Sequence, residues 1–286
     1  MLSSSLVRIR ALGSFALLGA LLSACSISTT DDSITFKGKT KFIDSAPTTR
    51  TATKAWAGEP IEIENANGDV EVIGEPGRTT IEVSAKTFVF ANKEDAEQAR
   101  AVQQGVRDSL AIVENGTNFY VKCAKGTTNG SADGNLSGCE DFVVRVPAGT
   151  EAAGLALKAT AQNGDLRVSG LTAATGQQLQ VIAKNGDVVA AAIVGGVKVE
   201  SGNGDVSASV RPTRGSLVEV RTENGDATLG LPANFAADRV ALEASGRVDT
   251  SAFSDVQNGS GRGAAGTGAA SIAVIARNGD AVLRAQ

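Results

Sequence analysis

The sequence predicts an all-β solenoid, and three observations predict it. The phrase Asn-Gly-Asp occurs six times, beginning at Asn67, Asn163, Asn185, Asn203, Asn224 and Asn278. The middle four copies begin 22, 18 and 21 residues apart, and periods near twenty belong to stacked repeats. On both sides of each phrase apolar residues alternate with period two, the mark of strands that bury one face. The residues on that face are mostly Ala and Val, which suits a narrow core.

The elements follow in chain order. Residues 1–24 read as a targeting segment: Arg8 and Arg10 precede the apolar run Ala11–Leu22, which is too short to span a bilayer and long enough for a signal peptide. Leu22-Ser23-Ala24-Cys25 resembles the lipobox of bacterial lipoproteins, as against an ordinary cleaved signal. That resemblance implies lipidation at Cys25. Ser26 in place of aspartate implies an outer-membrane lipoprotein of a Gram-negative cell, facing the periplasm or the cell surface. Residues 25–57, rich in Ser and Thr, are expected to form a tether from the lipid. The solenoid is expected over 58–286, opening with the corner Asn67, Gly68 and Asp69.

An insertion interrupts it at about 91–147. Asn92 is expected to cap a helix with Glu94 and Asp95 in its first turn and Ala99, Val102, Val106 and Leu110 as its apolar stripe. Phe88, Phe90 and Phe142 are expected in the core around it. Cys123 and Cys139 then bracket a polar, Gly-rich loop. In an exported, oxidising compartment the simplest reading is a disulfide between them. A metal site would need further ligands in a chain that has no histidine.

The main array follows. Leu157, Ala159 and Ala161 precede Asn163, Gly164 and Asp165, and Leu166 and Val168 come after. The same phase recurs around Asn185, Gly186 and Asp187, around Asn203, Gly204 and Asp205, and around Asn224, Gly225 and Asp226. Ser245, 21 residues beyond Asn224, marks a degraded copy. A Gly-rich stretch then delays the last phrase, Asn278, Gly279 and Asp280. Asn-Gly tolerates positive φ and Asp can bond the amides of its own turn, so the phrase reads as a corner. A hairpin meander would demand equally short second turns. The second connections vary instead ("VSGLTAATGQQ", "AAIVGG", "VRPTRGS"), which favours a coil of short strands stacked at about 4.8 Å per rung.

These residues carry a family resemblance. "DFVVRVPAGTEAAGLALKATAQNGDLRVSGL" and "IEIENANGDVEVIGEPGRTTIEVSA" resemble the bacterial putative-adhesin family, a domain of unknown function, over about Pro60 to Gln286. The resemblance implies a single-stranded right-handed parallel β-helix and little chemistry.

Composition narrows the function classes. Without residues 1–24 the chain has 25 basic and 31 acidic side chains, a net of −6, with scattered basic residues and few aromatics, so nucleic acid is not an expected partner. The lack of histidine removes triads and most zinc sites. Stacked Asp165, Asp187, Asp205 and Asp226 could be a calcium ladder or a sugar-cleaving groove. One acid per twenty residues supplies six to eight oxygens poorly, so structural turns are the favoured reading. Trp56 and Tyr120 lie outside the array and offer no stacking platform for sugars. No metal and no cofactor are expected. The function expected is a non-enzymatic, lipid-anchored envelope scaffold contacting an unidentified protein or polysaccharide. The alternative is a carbohydrate-active enzyme, a polysaccharide lyase or glycosidase, on a β-helix.

Overall fold

The computed structural model describes residues 27–30, 33–36, 39–43, 47–92, 96–115, 118–122, 136–253, 256–257, 260–261 and 269–286. Cys25 and Cys123 lie outside them. The first part of the chain forms β1 (Ile27–Thr30), β2 (Ser33–Phe36), β3 (Lys39–Ile43), β4 (Thr48–Ala52), β5 (Ile61–Asn65), β6 (Val70–Glu75) and β7 (Ile81–Asn92). Helix α1 (Ala96–Ser109) follows, then β8 (Ala111–Asn115), β9 (Asn118–Lys122) and β10 (Leu136–Pro147). The array is built from β11 (Leu157–Asn163), β12 (Leu166–Ser169), β13 (Gln178–Asn185), β14 (Val188–Val194), β15 (Gly196–Asn203), β16 (Val206–Arg211), β17 (Leu217–Asn224) and β18 (Ala227–Leu231). The chain closes with β19 (Ala237–Ala244), β20 (Val248–Asp249), β21 (Val256–Gln257), β22 (Ser260–Gly261), β23 (Ala270–Ala276) and β24 (Ala281–Ala285).

The fold is all-β with one short helix. Each rung places one strand in each of two facing sheets, six of the rungs turn at an Asn-Gly-Asp corner, and neighbouring rungs pair in parallel. Register is kept by identity of phase: Leu157, Leu179, Val197, Val218 and Ile272 form one inward column, and Leu166, Val188, Val206, Ala227 and Ala281 face it from the other sheet. All of these are buried, as are the other inward residues expected from the alternation. A one-residue slip would turn every one of them to solvent.

Spatial order departs from chain order at both ends. Among the described residues one sheet runs β9-β5-β11-β13-β15-β17-β23-β19 and the other β10-β6-β12-β14-β16-β18-β24-β20. The rung nearest the start of the chain is therefore second in the stack, and the C-terminal rung sits inside the rung that precedes it in sequence. A single winding coil describes only β11 to β18. The expected insertion shrinks accordingly. Over Phe142–Pro147 β10 pairs in parallel with β6 as a regular rung, and β9 does so with β5. Its corner reads Cys-Glu-Asp, so a search on Asn-Gly-Asp passes over it.

The expected tether is corrected as well. Residues 27–43 form an antiparallel meander, β1-β2-β3, that joins the sheet through β7, and β4 pairs with another part of β7. Threonine is β-branched and fits a pleated half-buried surface, so low hydrophobicity concealed strand-forming residues. Helix α1 packs against β7. Its Ala99, Val106 and Leu110 are buried and Val102 is partly so, and Gln103 Nε2 donates to the carbonyls of Thr87 (3.1 Å) and Phe42 (3.3 Å). Asn92 ends β7, and Glu94 and Asp95 lie outside the described residues, as does the side chain of Phe90. Phe88 and Phe142 are buried, and Trp56 packs on the core while its Nε1 donates to the Glu59 carbonyl (2.9 Å). No helix among the described residues is long and apolar enough to cross a membrane.

The ladder of Asn-Gly-Asp corners as the candidate site

The six phrases stack into one edge of the solenoid, and their side chains bond between rungs. Each aspartate carboxylate accepts the main-chain N–H of the aspartate one rung along. Asp165 donates to Asp69 Oδ1 (2.9 Å), Asp187 to Asp165 (3.0 Å), Asp205 to Asp187 (2.8 Å), Asp226 to Asp205 (2.8 Å) and Asp280 to Asp226 (2.8 Å). The asparagines form a parallel ladder of amides. Asn163 Nδ2 donates to Asn67 Oδ1 (3.3 Å), Asn185 to Asn163 (3.0 Å), Asn203 to Asn185 (2.8 Å), Asn224 to Asn203 (2.9 Å) and Asn278 to Asn224 (3.0 Å).

This corrects the expectation that each Asp serves its own turn. The main-chain amides on either side of each aspartate point forward: Gly186 N–H donates to the Asn203 carbonyl (2.8 Å) and Val188 N–H to the Asp205 carbonyl (2.9 Å). The aspartate amide alone points back, and a carboxylate oxygen of the previous rung meets it. At these exposed corners each such bond contributes about 0.5 to 1.5 kcal/mol, since water can replace part of it. Glycine is required for a second reason. Gly204 has φ +138°, and a Cβ there would sit 2.4 Å from the Gly186 carbonyl oxygen and 2.8 Å from Asp187 Oδ1. None of the six asparagines takes positive φ, so the phrase is a rung corner and not a hairpin turn.

One end of the ladder escaped the sequence reading, and the other was read there only as a degraded copy. At one end Asp141, in the Cys-Glu-Asp corner, accepts the Asp69 amide (3.2 Å) and pairs with Lys86 (3.2 Å). At the other, Ser245-Gly246-Arg247 occupies the phrase positions. Arg247 N–H donates to Asp280 Oδ1 (2.7 Å), and Gly279 N–H donates to Ser245 Oγ (3.3 Å). Arginine offers no oxygen to pass the ladder on, so the degraded copy is a terminator. The only sequence signal was its 21-residue spacing from Asn224. Under the corners, Ser201 Oγ and Thr222 Oγ1, both buried, donate to the carbonyls of Gly186 and Gly204 (2.8 Å each).

Two open grooves flank this edge. The larger, of 630 Å³ beside the terminator, is lined by Asp226, Thr228, Arg247, Asp249, Asp280 and Arg284 among others. Its carboxylates already have structural partners: Asp226 and Asp280 hold the ladder, and Asp249 binds the Ser251 amide (3.0 Å) and the Arg247 guanidinium. The Ser251 hydrogen bonds, with Arg247, hold Asp249 below the usual carboxylate range, opposite to what a general acid requires. The second groove, of 340 Å³, lies by Asp69, Glu71, Lys86, Asp141 and Arg167. Among the described residues no three His, Cys, Asp or Glu side chains are placed to hold a metal ion. On the opposite sheet Tyr120 hydroxyl donates to Glu64. That bond, with burial and the negative charge nearby, pushes its pKa up to about 12. Cys139 is buried in β10.

No curated protein matches the chain in sequence. Three solved structures resemble it in outline. A "putative cell adhesion protein" from Clostridium sporogenes is 9% identical, with 84% of this chain and 100% of that one covered and a TM-score of 0.35. A "putative adhesin" from Bacteroides fragilis is 11% identical, with 85% and 98% covered and a TM-score of 0.36. A "putative lipid binding protein" from Parabacteroides distasonis is 10% identical, with 85% and 98% covered and a TM-score of 0.25. The sequence profile of Toastrack DUF4097 matches residues 57–284, most of the solenoid and all six corners, and the chain accordingly belongs to that family.

Proposed function

We propose that the protein is a non-enzymatic, lipid-anchored solenoid of the cell envelope that presents its long edge and sheet faces as an adhesion or scaffold surface. The observation that carries the reading is the ladder itself. The polar groups that repeat most regularly in the sequence are spent on holding one rung to the next, which gives a stiff rod and no convergent chemistry. Right-handed winding of the run from β11 to β18, lipidation at Cys25, residence at the outer membrane and a Cys123–Cys139 disulfide belong to the same proposal. The partner is a protein or polysaccharide of the envelope or matrix.

Protease shaving of intact cells tests it. Surface display predicts that protease added to intact cells cleaves the wild-type chain. In cells carrying Cys25→Ala the domain is no longer retained with membranes. Cleavage only after lysis overturns surface display. A second reading, a carbohydrate-active enzyme, is favoured by one observation: the 630 Å³ groove gathers Asp226, Asp249 and Asp280 with Arg247 and Arg284. Release of reducing or unsaturated ends from envelope polysaccharides, lost in Asp249→Asn, would establish it.

A further inference from the structure

The C-terminal rung occupies a slot that the rest of the chain does not need it to fill. Strand β23 is hydrogen-bonded on both edges, to β17 and to β19, and β24 lies likewise between β18 and β20. The flanking rungs match each other through it. Val218, Ile272 and Val240 form one column, Val220, Val274 and Leu242 the next, and Thr222, Ala276 and Ala244 the third. In the other sheet Ala227, Ala281 and Val248 align. Removing the middle member of each column leaves inward residues facing inward residues. The corner is equally tolerant, because Arg247 N–H meets Asp280 Oδ1 and an identical oxygen, that of Asp226, stands one rung below. The 21-residue step from Asn224 to Ser245 is also that of consecutive rungs.

The connection into the slot is the second observation. Twenty residues, 250–269, separate β20 from β23, whereas five separate β16 from β17 and five separate β18 from β19. Five of the twenty are glycine. Strand β22 is tied to the outer side of β19, which leaves 262–269, eight residues with a contour of roughly 27 Å, to reach a slot two strand positions away on the far side of β19. Rungs rise by about 4.8 Å. That length spans the distance to the matching slot of another copy placed end to end.

We propose that the rung Ala270–Ala285 is exchanged between two copies of the chain, each docking its C-terminal rung between β17/β18 and β19/β20 of the other. The partner is therefore a second copy of this chain. Every hydrogen bond and apolar contact of the rung is the same in either copy, so contact energy does not distinguish them. Concentration against the effective concentration set by the connection does.

Arg221 and Ile275 are register partners on the outer face of β17 and β23, so their Cα atoms lie within disulfide range. In the Cys25→Ala chain, Arg221→Cys with Ile275→Cys should close a disulfide, within the molecule where the rung is at home and between molecules where it is exchanged. Two differently tagged chains, one with Arg221→Cys and one with Ile275→Cys, are then co-expressed, oxidised and run without reductant. Exchange predicts a covalent heterodimer carrying both tags, its fraction rising about tenfold for a tenfold rise in concentration at low occupancy. The proposal is overturned if the double variant closes but the mixed chains never link. Failure of the double variant to close overturns it too, as does linkage only between two Ile275→Cys chains.

Discussion

Replacing Gly204 by alanine, beside Gly176→Ala as its control, separates two costs that glycine avoids. Gly176 has φ +75° and open space where a Cβ would go. Alanine there pays left-handed strain of roughly 1 to 2 kcal/mol, offset by about 0.4 to 1 kcal/mol from the stiffer unfolded chain. The net loss is about 1 kcal/mol. Gly204, at φ +138°, lies where only glycine is comfortable, which adds roughly 1 to 3 kcal/mol. Its new Cβ also meets the Gly186 carbonyl oxygen at 2.4 Å. Restoring ordinary contact moves the two rungs apart by about 1 Å, since unstrained carbon contacts begin near 3.5 Å. That stretches the 2.8 Å bonds from Asp205 N–H to Asp187 and from Gly186 N–H to the Asn203 carbonyl beyond bonding range. A neutral bond contributes about 0.5 to 1.5 kcal/mol and one to a charged group about 1.5 to 3. Gly204→Ala should therefore lose about 3 to 6 kcal/mol. Urea unfolding of the purified protein, with the slope checked for constancy, measures both variants. If Gly204→Ala falls within about 1 kcal/mol of Gly176→Ala, the close approach of rungs at the corner is not what demands glycine.

Asp205→Ala strips the Asp226 amide of its acceptor at an exposed corner, where water replaces part of the bond, and should lose about 0.5 to 1.5 kcal/mol, whereas Asp205→Asn keeps an acceptor and should stay closer to the parent; calorimetry with calcium and with chelator should show no calcium-dependent shift in either. Tyr120 is the only tyrosine, so ultraviolet titration should give a single midpoint near 12 that moves down toward 10 in Glu64→Gln. Its folded pKa is raised, so this contribution to stability is complete below about pH 10 and is lost between about pH 10 and 12. Cys25→Ala should leave the membrane fraction after a salt wash, because no helix among the described residues is long and apolar enough to hold the bilayer in place of the lipid. Cys123 and Cys139 should resist alkylation until reductant is added, and modification of both without it would rule out their pairing.

The buried columns were legible because alternation with period two is imposed by the pleat itself. Leu157, Val181, Val199 and Leu229 had to face one way whatever their neighbours. The corners were legible because the phrase repeats. What the phrase does was not, since the choice between bonding its own turn and bonding the next rung depends on where a neighbouring rung lies. Asp141 and Arg247 were hidden for a related reason: the ladder requires an oxygen at one end and the lack of one at the other, and neither needs the letters Asn-Gly-Asp. The strands between Ile27 and Ala52 were missed because they join the sheet through β3 and β4, whose partner β7 is supplied from a distant stretch of chain. Rung order at both ends depends on pairing between segments far apart in sequence, and no local pattern records that.

The line of aspartates has an electrical consequence of its own. Two unit charges in water repel with the thermal energy, about 0.6 kcal/mol, when they are roughly 7 Å apart, and rungs are spaced at about 4.8 Å. Asp165 is relieved by Arg167 and Asp141 by Lys86, but Asp187, Asp205, Asp226 and Asp280 have no cation paired with them among the described residues. Such an edge behaves like a short stretch of polyelectrolyte. It draws an atmosphere of mobile cations that belongs to the line as a whole and saturates at no single position. Near anionic headgroups that atmosphere must be shared, so the rod favours orientations that turn this edge away from the lipid and leave its other faces nearer the membrane.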